Sequence, residues 1–120
     1  LFANRPEDAQ RRISHRLRPR LTLPSERILR KGDRGDSMFF IASGAVRLAL
    51  PSGDIELGSG AFFGELALIT GRPRMNDVIS LGFCQLLELG EADFRLLLAE
   101  DEAMKREIEG IARERLSAAK

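Results

Sequence analysis

The sequence contains one cysteine and one histidine in 120 residues. A single cysteine, Cys84, excludes an internal disulfide framework and is typical of a reducing compartment. His15 has no second histidine and no cysteine cluster beside it, so we predict no metal site. No cysteine–histidine or serine–histidine arrangement typical of nucleophilic catalysis is apparent. We therefore predict that the chain is not an enzyme.

Long apolar runs and an excess of one charge are also lacking. No apolar run approaches the roughly 18 residues of a membrane span. The net charge of +1 gives little attraction to nucleic acid. The basic residues are uneven, since residues 1–34 contain ten Arg and Lys against four Asp and Glu, and we interpret this excess as a solvated, partly paired surface. Because the chain begins with Leu1, we expect it to be a piece of a longer protein.

Apolar residues recur with a helical period at both ends of the chain. We predict a helix within residues 1–20, ended by Pro19. A second helix is predicted over residues 91–99. A third begins after Asp101, a plausible N-cap, and runs to about residue 117.

The middle of the chain, residues 21–89, has a different pattern. Short apolar runs alternate with turn residues at roughly even intervals, which predicts an all-β sandwich or barrel. The run from Met38 to Ala42 is apolar throughout, so we expect that strand to be buried on both faces. The predicted strands cover residues 27–30, 38–42, 46–50, 55–57, 78–81 and 84–89.

The stretch from Phe62 to Arg74 predicts a strand end, a glycine turn, one short helix and a stop. Gly64 permits a close backbone approach, and a helix that starts at such a turn presents unpaired N–H groups to an anion. Arg74 can add a positive charge with a planar fork of donors. An ionised Glu65 only accepts hydrogen bonds and therefore suits hydroxyl groups. An anion beside a hydroxyl-bearing group indicates a sugar phosphate.

The letters F-G-E-L-A-L from residue 63, followed by Pro73 and Arg74, resemble the phosphate-binding cassette of cyclic nucleotide-binding domains. The glycine-rich turns at residues 31–36 and 58–60 are similar to those of the same family. The resemblance extends from about residue 1 to residue 117. It implies a mainly β fold with flanking helices, an antiparallel β-roll or jelly roll with a short cassette helix.

The implied domain is single and occupies residues 1–120. Its parts are the N-terminal helix at 1–20, the β-roll at 21–89 with the cassette at 62–78, and the two C-terminal helices, called B and C in the family, at 91–117. In the family the C helix folds over the bound base as a lid.

The resemblance also implies the roles of individual residues. Arg74 is expected to bind the cyclic phosphate, and Glu65 the ribose 2′-hydroxyl. Backbone groups are expected from three further cassette residues, Gly64, Leu66 and Ala67.

The walls of the base pocket are expected to come from the roll and the lid. Leu48 and Ile55 lie on the strands before the cassette, and Phe63 directly precedes its turn. Arg115 on the C helix is the expected contact to the base, with Arg113 as its rival.

Two residues depart from the family pattern. Where family members usually carry a small or hydroxyl residue and then alanine, Met75 and Asn76 follow Arg74. Met75 cannot donate a hydrogen bond to the phosphate or to guanine, whereas the amide of Asn76 can replace a donor in part. The loss of one neutral hydrogen bond costs about 0.5–1.5 kcal/mol. This difference weakens nucleotide binding and disfavours cyclic GMP.

The sequence therefore predicts a regulatory domain that senses a cyclic nucleotide, cyclic AMP rather than cyclic GMP, and needs no other cofactor. We expect a covalently linked effector, the transmembrane part of a bacterial potassium channel or sodium/proton antiporter, which would make this a cytoplasmic domain of an inner-membrane protein. No nucleic acid partner is expected for this segment, and oligomers would form through the host protein. Two alternatives stay open: a degenerate fold used for protein contact or another ligand, and the sensor half of a DNA-binding regulator.

Overall fold

A computed structural model describes residues 13–118, and eight strands lie within them. In chain order these are β1 Arg18–Thr22, β2 Arg27–Leu29, β3 Ser37–Ser43, β4 Val46–Leu48, β5 Ile55–Leu57, β6 Phe62–Phe63, β7 Val78–Ser80 and β8 Cys84–Gly90. They pair antiparallel in two four-stranded sheets with the orders β1-β8-β3-β6 and β2-β7-β4-β5. The predicted fold class, mainly antiparallel β with flanking helices, is confirmed.

Three helices complete the described chain: α1 Glu65–Thr70, α2 Glu91–Glu100 and α3 Glu102–Ala118. Asp101 separates the last two, and its Oδ1 accepts a hydrogen bond of 3.0 Å from the backbone N–H of Met104. The predicted N-cap is therefore confirmed, because the side chain satisfies one of the unpaired donors of the first helical turn. No helix within residues 13–118 has both the length and the apolar composition needed to cross a bilayer.

Strand β3 is shared by two hydrophobic cores. Its residues alternate in direction, so Phe39 and Ile41 face the space between the two sheets, while Met38 and Phe40 face the helices. All four side chains are at most 4% exposed. The prediction that this strand is buried on both faces is confirmed for Met38 to Ile41, whereas Ala42 at its end is exposed.

Each core has its own partners for β3. Between the sheets, β3 packs on residues that include Val46, Leu48, Phe63, Val78 and Leu86. On the outer face of the first sheet, it packs on helix residues that include Leu68, Phe94, Leu97, Met104 and Ile108. The β-roll and the helix layer are thus separate cores, and three strands of the first sheet, β3, β6 and β8, contribute residues to both.

The start of the chain differs from the prediction. Residues 1–12 lie outside the described residues, so most of the predicted N-terminal helix is not covered. The segment after them is helical only at Ile13 and Ser14, and the chain is already extended in β1 at Arg18. Pro19 therefore does not end a helix but lies within an edge strand, opposite Leu87. Proline is tolerated there because β1 pairs on one side only.

Candidate functional site

The glycine turn between β6 and α1 forms one side of a pocket. Gly64 has φ 89° and ψ 0°, the left-handed region that favours glycine, and it precedes a helix of six residues. Gly71, with φ 71°, ends this helix and donates its N–H to the carbonyl of Ala67 at 3.0 Å. The predicted short helix between two glycines is present.

Arg74 returns to this turn from the far end of the helix. Its Nη1 donates to the carbonyl of Gly64 at 2.7 Å and its Nη2 donates to the carbonyl of Ser37 at 2.8 Å. The residue is only 8% exposed. Burial lowers the pKa of the guanidinium, and the nearby charges of Asp36 and Glu65 act in the opposite direction. Within residues 13–118, no carboxylate forms a salt bridge with Arg74, so its charge is held in place by neutral groups.

The glycine-rich turn at residues 31–36 also contacts Arg74. The backbone N–H of Arg74 donates to the carbonyl of Asp33 at 2.7 Å, and the N–H of Gly32 donates to the carbonyl of Arg74 at 2.8 Å. A Cβ built on Gly35 would lie 2.6 Å from Cζ and Nε of Arg74 and 2.6 Å from Cβ of Ala67. The sequence analysis missed this contact, although the glycine itself was visible in the motif at residues 31–36.

Glu65, the first residue of α1, has a fully buried carboxylate with an exposed fraction of 1%. Its Oε1 accepts a hydrogen bond from Nη1 of Arg115, and its Oε2 has no hydrogen-bond partner among the described residues. Burial raises the pKa of Glu65, and the positive charges of Arg115 and Arg74 oppose this effect in part.

Arg115 reaches this carboxylate from the last turn of α3. Its Cζ lies 4.9 Å from the centroid of the Phe62 ring, a cation–π contact, and its side chain is 11% exposed. Of the two rivals on this helix, the structure brings Arg115 into the pocket. Arg113 is exposed and lines a neighbouring groove together with Leu66 and Leu116.

These groups surround one pocket that is narrow in this structure, with a cavity volume of about 30 Å³. Ten of the eleven predicted site residues line it: Leu48, Phe63, Gly64, Glu65, Leu66, Ala67, Arg74, Met75, Asn76 and Arg115. The lining also includes Leu29 and Val78, which the sequence analysis missed because nothing distinguishes them from ordinary buried strand residues.

Ile55 is the predicted site residue that the structure does not place in this pocket. It lies opposite Leu48 in the register of β4 and β5. However, β5 is the edge strand of its sheet, and Ile55 is 39% exposed. The structure therefore does not bring Ile55 to the other predicted residues, and its contact with the base stays a prediction.

The two residues that depart from the family pattern both line the pocket. The Nδ2 of Asn76 donates to the carbonyl of Ala49 at 2.8 Å, so this amide group is used in a hydrogen bond within the β-roll. Met75 is half-buried beside it. The part of the pocket wall that follows Arg74 in sequence thus consists of the thioether of Met75 and the amide of Asn76, whose nitrogen already has an acceptor.

Together, the fold and the pocket define a ligand-binding β-roll closed by a C-terminal helix. A model of the cyclic nucleotide-binding domain family matches residues 20–101, and the chain belongs to this family. A cyclic nucleotide-gated potassium channel of Rhizobium etli is 43% identical over 103 residues, which are 86% of this chain and 29% of the channel. The chain therefore spans less than a third of the length of that relative.

Solved structures share the fold. The catabolite activator protein of Thermus thermophilus superposes with a TM-score of 0.82 at 24% identity, over 97% of this chain and 57% of that one. The regulatory domain of Toxoplasma gondii protein kinase A, crystallised with cyclic AMP, gives a TM-score of 0.74 at 25% identity, over 90% and 45% of the two chains. The family is described as a binding domain and not as a catalytic one.

Proposed function

We propose that this chain is a regulatory domain that binds a cyclic nucleotide with its phosphate at Arg74. The proposal rests on the burial and the hydrogen bonds of this arginine. It is buried, two backbone carbonyls fix its guanidinium, and no described carboxylate forms a salt bridge with it. A positive charge held in this way is ready for an anion, and charge-assisted hydrogen bonds contribute about 1.5–3 kcal/mol each.

The other lining residues support a nucleotide rather than a free anion. Backbone groups of Gly64, Leu66 and Ala67 would face the phosphate, and Glu65 would accept from the ribose 2′-hydroxyl. Leu48 and Phe63 offer apolar surface to the base. The contact of Arg115 with the base stays a prediction, since this side chain is paired with Glu65.

Cyclic AMP is the nucleotide we favour. The Toxoplasma gondii relative was crystallised with cyclic AMP. Met75 lines the pocket where a hydroxyl donor would serve guanine, and Asn76 uses its nitrogen elsewhere. Neither residue therefore favours cyclic GMP.

The effector we propose is the membrane part of a bacterial transport protein. The Rhizobium etli relative favours a potassium channel over a sodium/proton antiporter. This domain would then be cytoplasmic, the host would set its oligomeric state, and movement of α3 on binding would bias the effector. The flanking genomic sequence tests this: transmembrane segments upstream support a transport protein, whereas a helix-turn-helix downstream indicates a DNA-binding regulator.

Calorimetric titration of cyclic AMP tests the binding function. Nucleotide carried through purification is first removed by unfolding and refolding. We expect micromolar or tighter affinity, and a loss of at least tenfold in Arg74→Ala. The matched control is Arg72→Ala, which removes an exposed arginine from the same segment and should bind like the original protein.

Equal affinity in Arg74→Ala would remove the proposed phosphate role. A folded, stripped protein that gives no heat with millimolar cyclic AMP would reject the sensor. The degenerate fold would then be favoured, consistent with the covered carboxylate of Glu65 and the presence of Met75 in the wall.

A further inference from the structure

A second cleft is lined by four of the basic residues from the first third of the sequence. Arg20 lies on β1, Arg27 on β2, and Arg30 and Arg34 follow β2 in the chain. All four line a cleft with a cavity volume of about 220 Å³. Because β1 and β2 are edge strands of the two sheets, the cleft lies along one side of the β-roll.

Three of these four arginines have no internal partner for their charge. Arg27, Arg30 and Arg34 are exposed, and none of them forms a salt bridge within residues 13–118. Arg20 differs, because its Nη2 lies 3.4 Å from Oε2 of Glu26. Like charges around one cleft repel each other, and an anion between them would replace this repulsion with attraction.

The carboxylates of the cleft do not neutralise it. Five lining arginines, Arg74 included, stand against Asp33, Asp36 and Glu88, which leaves two positive charges in excess. Glu88 is also engaged, since its Oε2 accepts a hydrogen bond from Oγ of Ser37 at 2.7 Å. Most lining residues are charged, so the cleft offers little apolar surface to a nucleobase or a lipid chain. Guanidinium groups match phosphate oxygens in geometry and charge, which indicates a small, multiply charged phosphate.

Arg74 connects this cleft to the pocket described above. Arg74 and Leu29 line both spaces, and each is 8% exposed, so the two side chains form a common wall. Burial lowers the pKa of Arg74, whereas nearby carboxylates raise it, among them Asp36, Glu88 and Asp33 of the second cleft. A negative charge in the cleft therefore acts on the same guanidinium that we propose for the cyclic phosphate.

We propose that this second cleft binds a small, multiply charged phosphate, with pyrophosphate as the simplest example, and that its occupant opposes cyclic nucleotide binding across Arg74. The anion site stands on the cleft alone, whereas the opposition rests on the proposed function. The anion lies between Arg27, Arg30 and Arg34. Two anions on either side of one guanidinium share its charge and repel each other, so each weakens the binding of the other by the same factor.

Calorimetric titration of pyrophosphate into the nucleotide-free protein, in a buffer without divalent cations, tests the anion site. We expect a dissociation constant below about 1 mM. Arg30→Gln should weaken binding about fivefold or more, because it removes one charged fork from the cleft. Asp33→Asn should tighten binding about twofold or more, because it removes a repelling carboxylate. The matched control is Lys31→Gln, which removes the same charge from an exposed neighbour outside the lining and should leave the affinity unchanged.

No heat at millimolar pyrophosphate, from a protein that a thermal melt shows to be folded, would overturn the anion site. Equal losses in Arg30→Gln and Lys31→Gln would also overturn it, since they would indicate attraction to the overall charge. Vesicles of phosphatidylcholine with phosphatidic acid test the same chemistry on a lipid. If the protein does not bind pyrophosphate but sediments with these vesicles, and Arg30→Gln abolishes this, the cleft belongs to a membrane surface and the soluble ligand is overturned.

The opposition is tested by titration of cyclic AMP with and without pyrophosphate. We expect the affinity for cyclic AMP to fall about threefold and then to reach a plateau as pyrophosphate is raised, because both ligands bind at once. In Arg30→Gln, the same concentrations of pyrophosphate should have a smaller effect.

A decrease without a plateau, unchanged in Arg30→Gln, would show that pyrophosphate enters the nucleotide pocket itself, and would overturn the proposal. An affinity for cyclic AMP that pyrophosphate does not change would overturn the opposition and leave the anion site. If cyclic AMP does not bind at all, the proposed function fails and the opposition falls with it, while the pyrophosphate titration decides the anion site separately.

Discussion

Two arginines line the pocket, Arg74 buried and Arg115 half-buried, and their environments are opposite. Arg74 belongs to the roll side, where the backbone carbonyls of Gly64 and Ser37 hold it and no described carboxylate forms a salt bridge with it. Arg115 belongs to the lid side, where a buried carboxylate and an aromatic ring both use its charge. The guanidinium is thus held by neutral carbonyls on one side of the pocket and by a charged partner on the other.

This difference distinguishes a side of the pocket that is fixed by the backbone from a side that depends on the packing of two helices. A charge fixed by neutral backbone groups stays in place when a ligand leaves, so the roll side is preorganised. The charge of Arg115 is held by a side chain of another element, so its position depends on how α3 packs against α1. The predictions below test whether the two sides differ in this way.

The largest effect is expected from damage to the roll side. Leu48→Ala removes a buried side chain from the wall of the pocket, and we expect a loss of about 2–5 kcal/mol in the free energy of unfolding. Ile55→Ala, opposite it in register but on the exposed edge, should cost under about 1 kcal/mol. Urea unfolding measures both. Equal losses would show that the roll interior extends to the edge strand.

On the lid side, we expect the stability of the protein to depend on the ion pair between Arg115 and Glu65. Arg115→Met leaves the buried carboxylate of Glu65 without its partner, and we expect a loss of about 1–3 kcal/mol in the free energy of unfolding. The double variant Glu65→Gln with Arg115→Met should recover part of this loss, because the unpaired charge is gone. Strictly additive losses in a double-mutant cycle would show that the two residues do not interact in solution.

Preorganisation on the roll side is tested at Gly35. A Cβ at this position would lie 2.6 Å from the guanidinium of Arg74. Gly35→Ala should therefore shift the arginine and weaken cyclic AMP binding about tenfold, which corresponds to about 1.4 kcal/mol. Gly58→Ala is the control, since a Cβ there meets no atom within 4 Å. Unchanged affinity in Gly35→Ala would show that Arg74 is free to adjust.

The smallest effect concerns the protonation of Glu65. Burial raises its pKa in the folded state, against the opposing charges of Arg115 and Arg74. The folded protein therefore holds this proton more tightly than the unfolded chain does. Protonated Glu65 therefore stabilises the folded protein at pH values below the pKa that this residue has in the unfolded chain. This stabilisation is lost as the pH rises through the pKa of Glu65 in the folded protein.

We accordingly expect the stability of the original protein, relative to Glu65→Gln, to fall as the pH is raised from about 4 to about 7. Urea unfolding of both proteins at several pH values measures this difference, and the comparison cancels the other titrating groups. A relative stability that rises over the same interval would mean that the charge of Arg115 outweighs burial.

The sequence predicted those parts of the molecule that depend on local geometry. Two glycines around a short helix, an arginine just beyond it and an N-cap at Asp101 are determined by neighbouring residues, and each lies where it was expected. The burial of β3 on both faces could also be predicted, because a run of consecutive apolar residues such as Met38 to Ile41 is typical of a strand between two layers.

Features that depend on long-range contacts were not predictable. Strand β1 exists because β8 offers it an edge, and no property of Pro19 by itself indicates that. Ile55 has the composition of a wall residue but lies on the last strand of its sheet. The ion pair joins residues 65 and 115, and its geometry follows from how α3 packs on the roll.

Strand β6 consists of only two residues, yet it belongs to both cores. Phe63 stacks on Phe39 between the sheets and lines the pocket, whereas Phe62 packs on Phe40 in the helix layer and lies under Arg115. A single peptide bond therefore links a residue of the pocket wall to a residue that packs against the helices. The shortest strand among the described residues therefore contributes one ring to the pocket wall and the next to the helix layer.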